Sequence, residues 1–435
     1  MRNCTKLQWM GFALVLLGAC CPVTWGKTWT VGKAGAPCAN PAPDYATVTA
    51  AINAASDGDE IDICPSLYPE QLMITKSLTL RGTGDQGTGR AMIQPTVLVP
   101  VGSLGFTAVI TVMGTSNVTI QNLAIDASYN TVSGCTEAVA GIHFYDASGV
   151  VDSDAISGAE LSNPLSCTTL FPGNGIGVQA DQDSTTTATF TIGVRNSSIH
   201  DFGRNAILVN GAGQVADIEN NSIVGIGPGT GANQFGIFLA NGVIGQVTAN
   251  YITQGNCGSI DIEDCVNLRS EGVVLRSVGD GVVVDSNIIS NVQSGVFVNG
   301  ATNPRVINNV VSNVDALSGI HIQGSVTGLY LGNKVFHVGP FTTDTSSDEE
   351  GCGLNSVSGT NNSANIIQGN WVNDAYCGVA YVTSDVVFSN AYMNTLYETL
   401  NGDNYPDTFP PPTEPGASPF VVSAAGVHRA RKVLQ

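Results

Sequence analysis

The sequence predicts an all-β chain wound as a single-stranded right-handed parallel β-helix, a β-solenoid with a short N-terminal cap helix, and three observations predict it. A Gly-(Ile/Val)-x-apolar phrase returns at Gly141-Ile142, Gly175-Ile176, Gly236-Ile237, Gly272-Val273, Gly295-Val296, Gly319-Ile320 and Gly378-Val379, with Ala206-Ile207 as a variant. An Asn-x-apolar phrase alternates with it, at Asn221, Asn250, Asn287, Asn309, Asn333 and Asn370. The step is 23 residues from Gly272 to Gly295 and 24 from Gly295 to Gly319, in a chain with only 12% charged residues. A period in the low twenties with β-branched alternation fits stacked coils. A propeller needs about 40 or more residues per blade, and leucine-rich repeats need leucine at fixed places.

The physical account follows from stacking. Val, Ile and Leu of each coil point inward and lie on their equivalents in the next. Asn at the turn adopts the left-handed conformation and passes side-chain hydrogen bonds to the Asn above and below, and the remaining turns draw on the 51 glycines.

The elements run in order. Arg2 and Lys6 precede an apolar run from Leu7 to Cys20, which reads as an export signal over residues 1–26, cut after Gly26. An alternative reading takes Leu17-Gly18-Ala19-Cys20 as a lipoprotein box, with Cys20 lipidated. The expected location is secreted, extracellular or periplasmic, and no segment is long and apolar enough for a transmembrane span. Tyr45, Val48, Ile52 and Ala55 form one helical face, so residues 45–55 are expected to cap the solenoid. Asp59 to Ile63 is expected as the first strand, and the coils continue to about residue 400. Six prolines from Pro406 to Pro419 mark 401–435 as a tail, because proline denies the ladder its donors.

Eight cysteines lie beyond the leader: Cys38, Cys64, Cys135, Cys167, Cys257, Cys265, Cys352 and Cys377. In an exported chain they imply disulfides, and pairing nearest neighbours gives 38–64, 135–167, 257–265 and 352–377. The net charge is −19, from 16 basic and 35 acidic residues. That balance excludes nucleic acid as a partner, since phosphate binding rests on Lys and Arg.

The stretch from Tyr45 to Gly82 resembles the opening of many bacterial right-handed β-helix proteins of the pectin-lyase-like superfamily. Within it, Tyr68-Pro69-Glu70 is similar to a Gly-x-Tyr-x-Glu phrase of pectin methylesterases, with Ser66 where glycine would stand. The resemblance implies the scaffold and an extracellular or cell-wall polysaccharide as partner. The Asn-Thr-Asp and Gly-His-Gly phrases of polygalacturonases are missing, as are Gln-Asp-Thr of methylesterases, Asp-Pro-His-Asp of alginate epimerases and Arg-x-Pro-x-x-Arg of pectate lyases.

Strand alternation then assigns outward residues coil by coil. One row reads His143, Gly177, Leu208, Phe238, Val274, Phe297, His321 and Ala380; its neighbour reads Tyr145, Gln179, Asn210, Ala240, Arg276, Asn299 and Gln323. Phe238, Phe297, Asn299, Gln323 and Asn210 are thereby candidate glycan contacts, because sugars stack on aromatic rings and hydrogen-bond to amides. The competing reading is an apolar strip covered by a loop or partner. His321 as base and Arg276 as neutraliser of a carboxylate are the candidate catalytic pair for a lyase acting on uronate-containing glycan. Asp261, Glu263 and Asp264 offer oxygen ligands for calcium, the one cofactor considered, and Asp344, Asp348, Glu349 and Glu350 form a second acidic loop. The alternative function is a non-catalytic surface or adhesive solenoid mediating protein or surface contacts.

Overall fold

The computed structural model describes residues 26–33, 38, 42–84, 89–100, 106–114, 117–130, 138–161, 174–183, 185–227, 233–255, 269–339, 351–356, 364–375, 377–380 and 395–396. They form a parallel β-helix with three faces. The first is a 12-stranded sheet from Thr28–Val31 to Ile366–Gln368, each strand paired in parallel with that of the next coil. The second carries the short strands that follow each asparagine, such as Ser222–Val224 and Tyr251–Thr253. The third carries longer strands, among them Ala138–Tyr145, Asn174–Asp181, Asn205–Asn210, Gln234–Ala240 and Ser270–Arg276. The second and third faces join where Ile288–Thr302 and Val310–Val326 pass the corner unbroken. One continuous apolar core fills the interior, with Tyr68, Phe144, Phe202 and Tyr330 its largest fully buried members.

The expected first strand proves to be the second. Thr28–Val31 precedes the helix and pairs with Glu60–Ile63, extending the sheet by one rung. The helix is Val48–Ala54, shorter than expected because Thr47 is already extended and caps it. Val48, Ala51, Ile52 and the following Ala55 close the first coil. The Glu70 carboxylate accepts from the amides of Val48 and Thr49 at 2.9 and 2.8 Å, and Lys76 Nζ donates to the carbonyls of Ile52, Asn53 and Ala55. Each charge thus meets the helix end it complements. Tyr68 donates its hydroxyl to the Cys64 carbonyl at 2.8 Å, and burial pushes it up to about 12. The Tyr68-Pro69-Glu70 phrase therefore fastens the cap.

The asparagine turn divides two tasks between neighbours. The left-handed residue is the one before the ladder asparagine: Asn220, Ala249, Ser286 and Asn308, with φ between 54 and 57°. Asn221, Asn250, Asn287, Asn309, Asn333 and Asn370 lie buried one position later. From Asn221 to Asn333 each Nδ2 donates to the Oδ1 of the next coil at 2.9–3.0 Å, and that Oδ1 also accepts the backbone N–H of the preceding asparagine. The column continues upstream through Ser197 to Asp154, which accepts from the Leu123 amide. Burial pushes the Asp154 carboxyl well above the usual carboxylate range. Ala249 is exposed at φ 54°, a position asparagine fills on other coils. Ala249→Asn is expected to stabilise the protein by about 0.5–1 kcal/mol, read as a higher urea midpoint.

The glycines of the recurring phrase serve close packing instead of turns. A Cβ on Gly272 would stand 2.4 Å from Ile289 Cγ2 and 2.6 Å from the Gly295 carbonyl oxygen, and Gly295 and Gly319 repeat this against Val311 and Val335. Real Cβ atoms do not approach so closely, which is why the phrase keeps glycine.

At Gly175-Ile176-Gly177-Val178 the phrase occurs twice in succession. Ile142 pairs with Val178 and His143 with Gln179, so the second copy is in register. Gln179 therefore stands in the row assigned to Gly177, and Asp181 takes the neighbouring row beside Tyr145.

Cys38 and Cys64 form a disulfide with Cα atoms 5.6 Å apart. Cys352 is disulfide-bonded, and its ladder partner is Cys377. Cys135, Cys167, Cys257 and Cys265, the leader and the 401–435 tail lie outside the described residues. Between Glu60 and Trp371 the five longest intervals separating described strands, 94–105, 127–137, 158–173, 254–269 and 339–351, all lie between a strand of the second face and one of the third.

Candidate functional site

The third face presents its outward residues to an open groove of about 450 Å³ spanning the coils from Phe106 to Arg276. Its apolar lining comes from Phe106, Ile176, Leu208 and Phe238; its polar lining is Gln179, Arg204, Asn205, Asn210, Asn241 and Arg276. No carboxylate lines it among the described residues. Arg204 loses some basicity, first through burial and then through the positive charge of Arg276, so the two guanidiniums act on each other across this region.

Behind the lining lies an acceptor. Asp181 receives a hydrogen bond from His143 Nε2 at 3.2 Å, one from the Gln179 amide and one from Asn210 Nδ2 at 3.1 Å. His143 is buried against the Phe106 ring, with centroids 4.6 Å apart. Asn241 in turn donates to Asn210 Oδ1 at 2.8 Å. The groove amides are thus fixed by a network centred on the Asp181 carboxyl group. Gln179 is 3% exposed and Asn205 2%, and Gln179 Oε1 and Asn205 Oδ1 have no hydrogen-bond partner.

Of the residues expected from sequence, Arg276, Phe238 and Asn210 line this groove, while His321, Phe297, Asn299 and Gln323 lie further along the face. Asn299 Nδ2 donates to Gln323 Oε1 at 3.3 Å. The apolar row is largely covered: Val274 and Phe297 are buried and pack with Phe235 and Phe238 in a cluster separate from the interior core. Phe235 stacks on Phe238 at 5.3 Å.

His321 packs on Phe297, with centroids 5.0 Å apart, and the guanidinium it senses is Arg269 instead of Arg276. Arg269 stands 5.6 Å over the Phe297 ring and 3.7 Å from Glu271 Oε1. Burial, aided by the Arg269 charge, holds His321 down at about 4. Burial pushes the Glu271 carboxyl up to about 7 against the pull of Arg269. Sequence alternation missed Glu271 and Phe235, which precede the packed glycines, and Arg204, which precedes its strand. The acidic loops around Asp261, Glu263 and Asp264 and around Asp344 lie outside the described residues. No cluster of three or more metal-ligating side chains occurs among the described residues, nor a helix long and apolar enough to cross a membrane.

The family model described as "Right handed beta helix region" matches residues 174–392, just over half of the chain. Comparison with curated proteins finds none that matches. Among solved structures, the chain is similar to the A-module of a mannuronan C-5 epimerase from Azotobacter vinelandii, at 16% identity, TM-score 0.49, covering 81% of this chain and 91% of that one. It is also similar to the Dettilon tailspike protein, at 14% identity and TM-score 0.45, covering 79% of this chain and 62% of the tailspike. A lacto-N-biosidase from Eubacterium ramulus is similar at 10% identity and TM-score 0.43, covering 86% and 67%.

Proposed function

Since the chain belongs to the right-handed β-helix family, we propose that it is an exported recognition protein for a carboxylate-bearing polysaccharide, held in the third-face groove between Arg204 and Arg276. The observation that carries this reading is the pair of guanidiniums lining one groove on a chain of net charge −19. Two like charges brought together in a partly desolvated groove are stabilised by an anion between them, and guanidinium matches carboxylate in geometry. The flanking amides and Phe238 supply the hydrogen bonds and ring face that a sugar uses. Export is supported by the Arg2–Cys20 leader and by the disulfide at Cys38–Cys64.

Arg276→Ala is expected to weaken binding to polygalacturonate or alginate at least tenfold, corresponding to about 1.4 kcal/mol, measured by titration calorimetry. Wild-type binding should weaken with added salt, and dextran should not compete. Equal affinity for dextran, or an unchanged Arg276→Ala variant, sinks the reading.

A second reading, β-elimination of a uronate chain, draws on the cluster further along the face. Neutral His321 would take the proton beside the carboxylate, Arg269 would neutralise that carboxylate, and protonated Glu271 would serve the leaving oxygen. Its measurable sign is soluble product with a new ultraviolet-absorbing double bond, lost in Glu271→Gln.

A further inference from the structure

The groove's hydrogen-bonding polarity is set from behind. Asp181 accepts only, and it already takes the Gln179 amide, His143 and Asn210. The Gln179 NH₂ must therefore face Asp181, which turns Gln179 Oε1 the other way, where it is buried at the groove lining without a partner. Asn205 Oδ1, also on the lining, is a second buried acceptor without a partner. A buried acceptor left unmade costs its full desolvation, so a ligand gains most by donating to it. The cationic donors Arg204 and Arg276 and the residues that carry the two unpaired acceptors, Gln179 and Asn205, thus line the same groove.

We propose that the groove selects an anionic sugar unit whose remaining ring hydroxyls are free, with Gln179 and Asn205 accepting from those hydroxyls, and that it rejects the same unit once they are O-acylated. Acylation replaces a donor with an acceptor and adds bulk, so Gln179 Oε1 then faces another oxygen while still unpaired. Discrimination of this kind, where a buried polar group loses its partner, is strong. Asp181 is the positioning residue: it touches no ligand but fixes which end of the Gln179 amide does. The inference rests on the anionic-polysaccharide reading given above.

The test compares polygalacturonate with the same polymer chemically O-acetylated, by titration calorimetry at fixed salt. The wild type is expected to bind the acetylated polymer at least tenfold more weakly. In Asp181→Asn one of the two carboxylate acceptors becomes an amide donor, so the Gln179 amide is no longer locked in one orientation and can offer its NH₂ to the groove; the preference should narrow at least fivefold while Arg276→Ala still weakens binding at least tenfold. Gln179→Met, which removes the acceptor and keeps the shape, should narrow it equally without involving Asp181. Equal wild-type affinity for the two polymers overturns the inference. So does a preference undiminished in both variants. Failure of the wild type to bind either polymer overturns the underlying anionic-polysaccharide reading, and is distinguishable because no preference is then measured.

Discussion

Replacing Asn287 with alanine is expected to lower the stability of the coils around it by about 3–5 kcal/mol. The side chain makes four ladder bonds. Its Nδ2 donates to the Val247 carbonyl and to Asn309 Oδ1, both at 2.9 Å, and its Oδ1 accepts from the backbone amide and Nδ2 of Asn250. Truncation leaves those partners buried without replacement, each at about 1–3 kcal/mol, with some relief from water entering the gap. A solenoid spreads such a loss unevenly, because each coil is held by its neighbours. Hydrogen exchange should therefore accelerate most in Tyr251–Thr253, Ile288–Thr302 and Val310–Val326, with far less change near Val118–Gln121. Uniform acceleration along the chain, or none, contradicts the ladder as the local lock.

The second large effect concerns Glu271. Its folded value near 7 stands above the ordinary 4.5, so its contribution to stability is intact below pH about 4.5 and is lost as pH rises through about 7. His321 works in the opposite sense. Its folded value near 4 lies below the ordinary 6.5, so its contribution is present above pH 6.5 and lost as pH falls through about 4. Stability should therefore peak between these limits and decline on the alkaline side. Glu271→Gln is expected to remove that alkaline decline, gaining about 2–3 kcal/mol at pH 8 relative to pH 5. The check is a set of urea midpoints from pH 4 to 9 for both proteins; parallel curves would show that Glu271 does not titrate in this window.

The scaffold was legible because every coil meets the same two local demands. One corner has no room for a Cβ, so glycine returns at Gly272, Gly295 and Gly319. One turn needs a buried amide that both gives and takes, so asparagine returns at Asn250, Asn287 and Asn309. The site was less legible where a coil breaks its own rhythm. The doubled phrase at Gly175–Val178 offered two registers and only packing chooses between them, so Asp181 went unnoticed. Counting by twos places Phe235 and Ile237 on the same side, yet Phe235 belongs to the outer cluster and Ile237 to the core. The packed Gly236 lies between them, and the same displacement hid Glu271, its ladder neighbour. Arg204 stands outside both phrases, so nothing periodic marks it. Arg276, Phe238 and Asn210 were found because they sit on regular strands, where alternation assigns the outward side.

The five longest intervals between described strands all fall at one edge of the prism, and four of them stand just ahead of strands that line the groove. Insertions there leave the amide column untouched, because it lies at another corner of the coil. These connections are thus free to lengthen or change composition by single genetic steps at little cost to folding, while the groove strands keep their rung-by-rung spacing. Divergent relatives built this way would share a ruler and differ in what is spliced in at one edge of it.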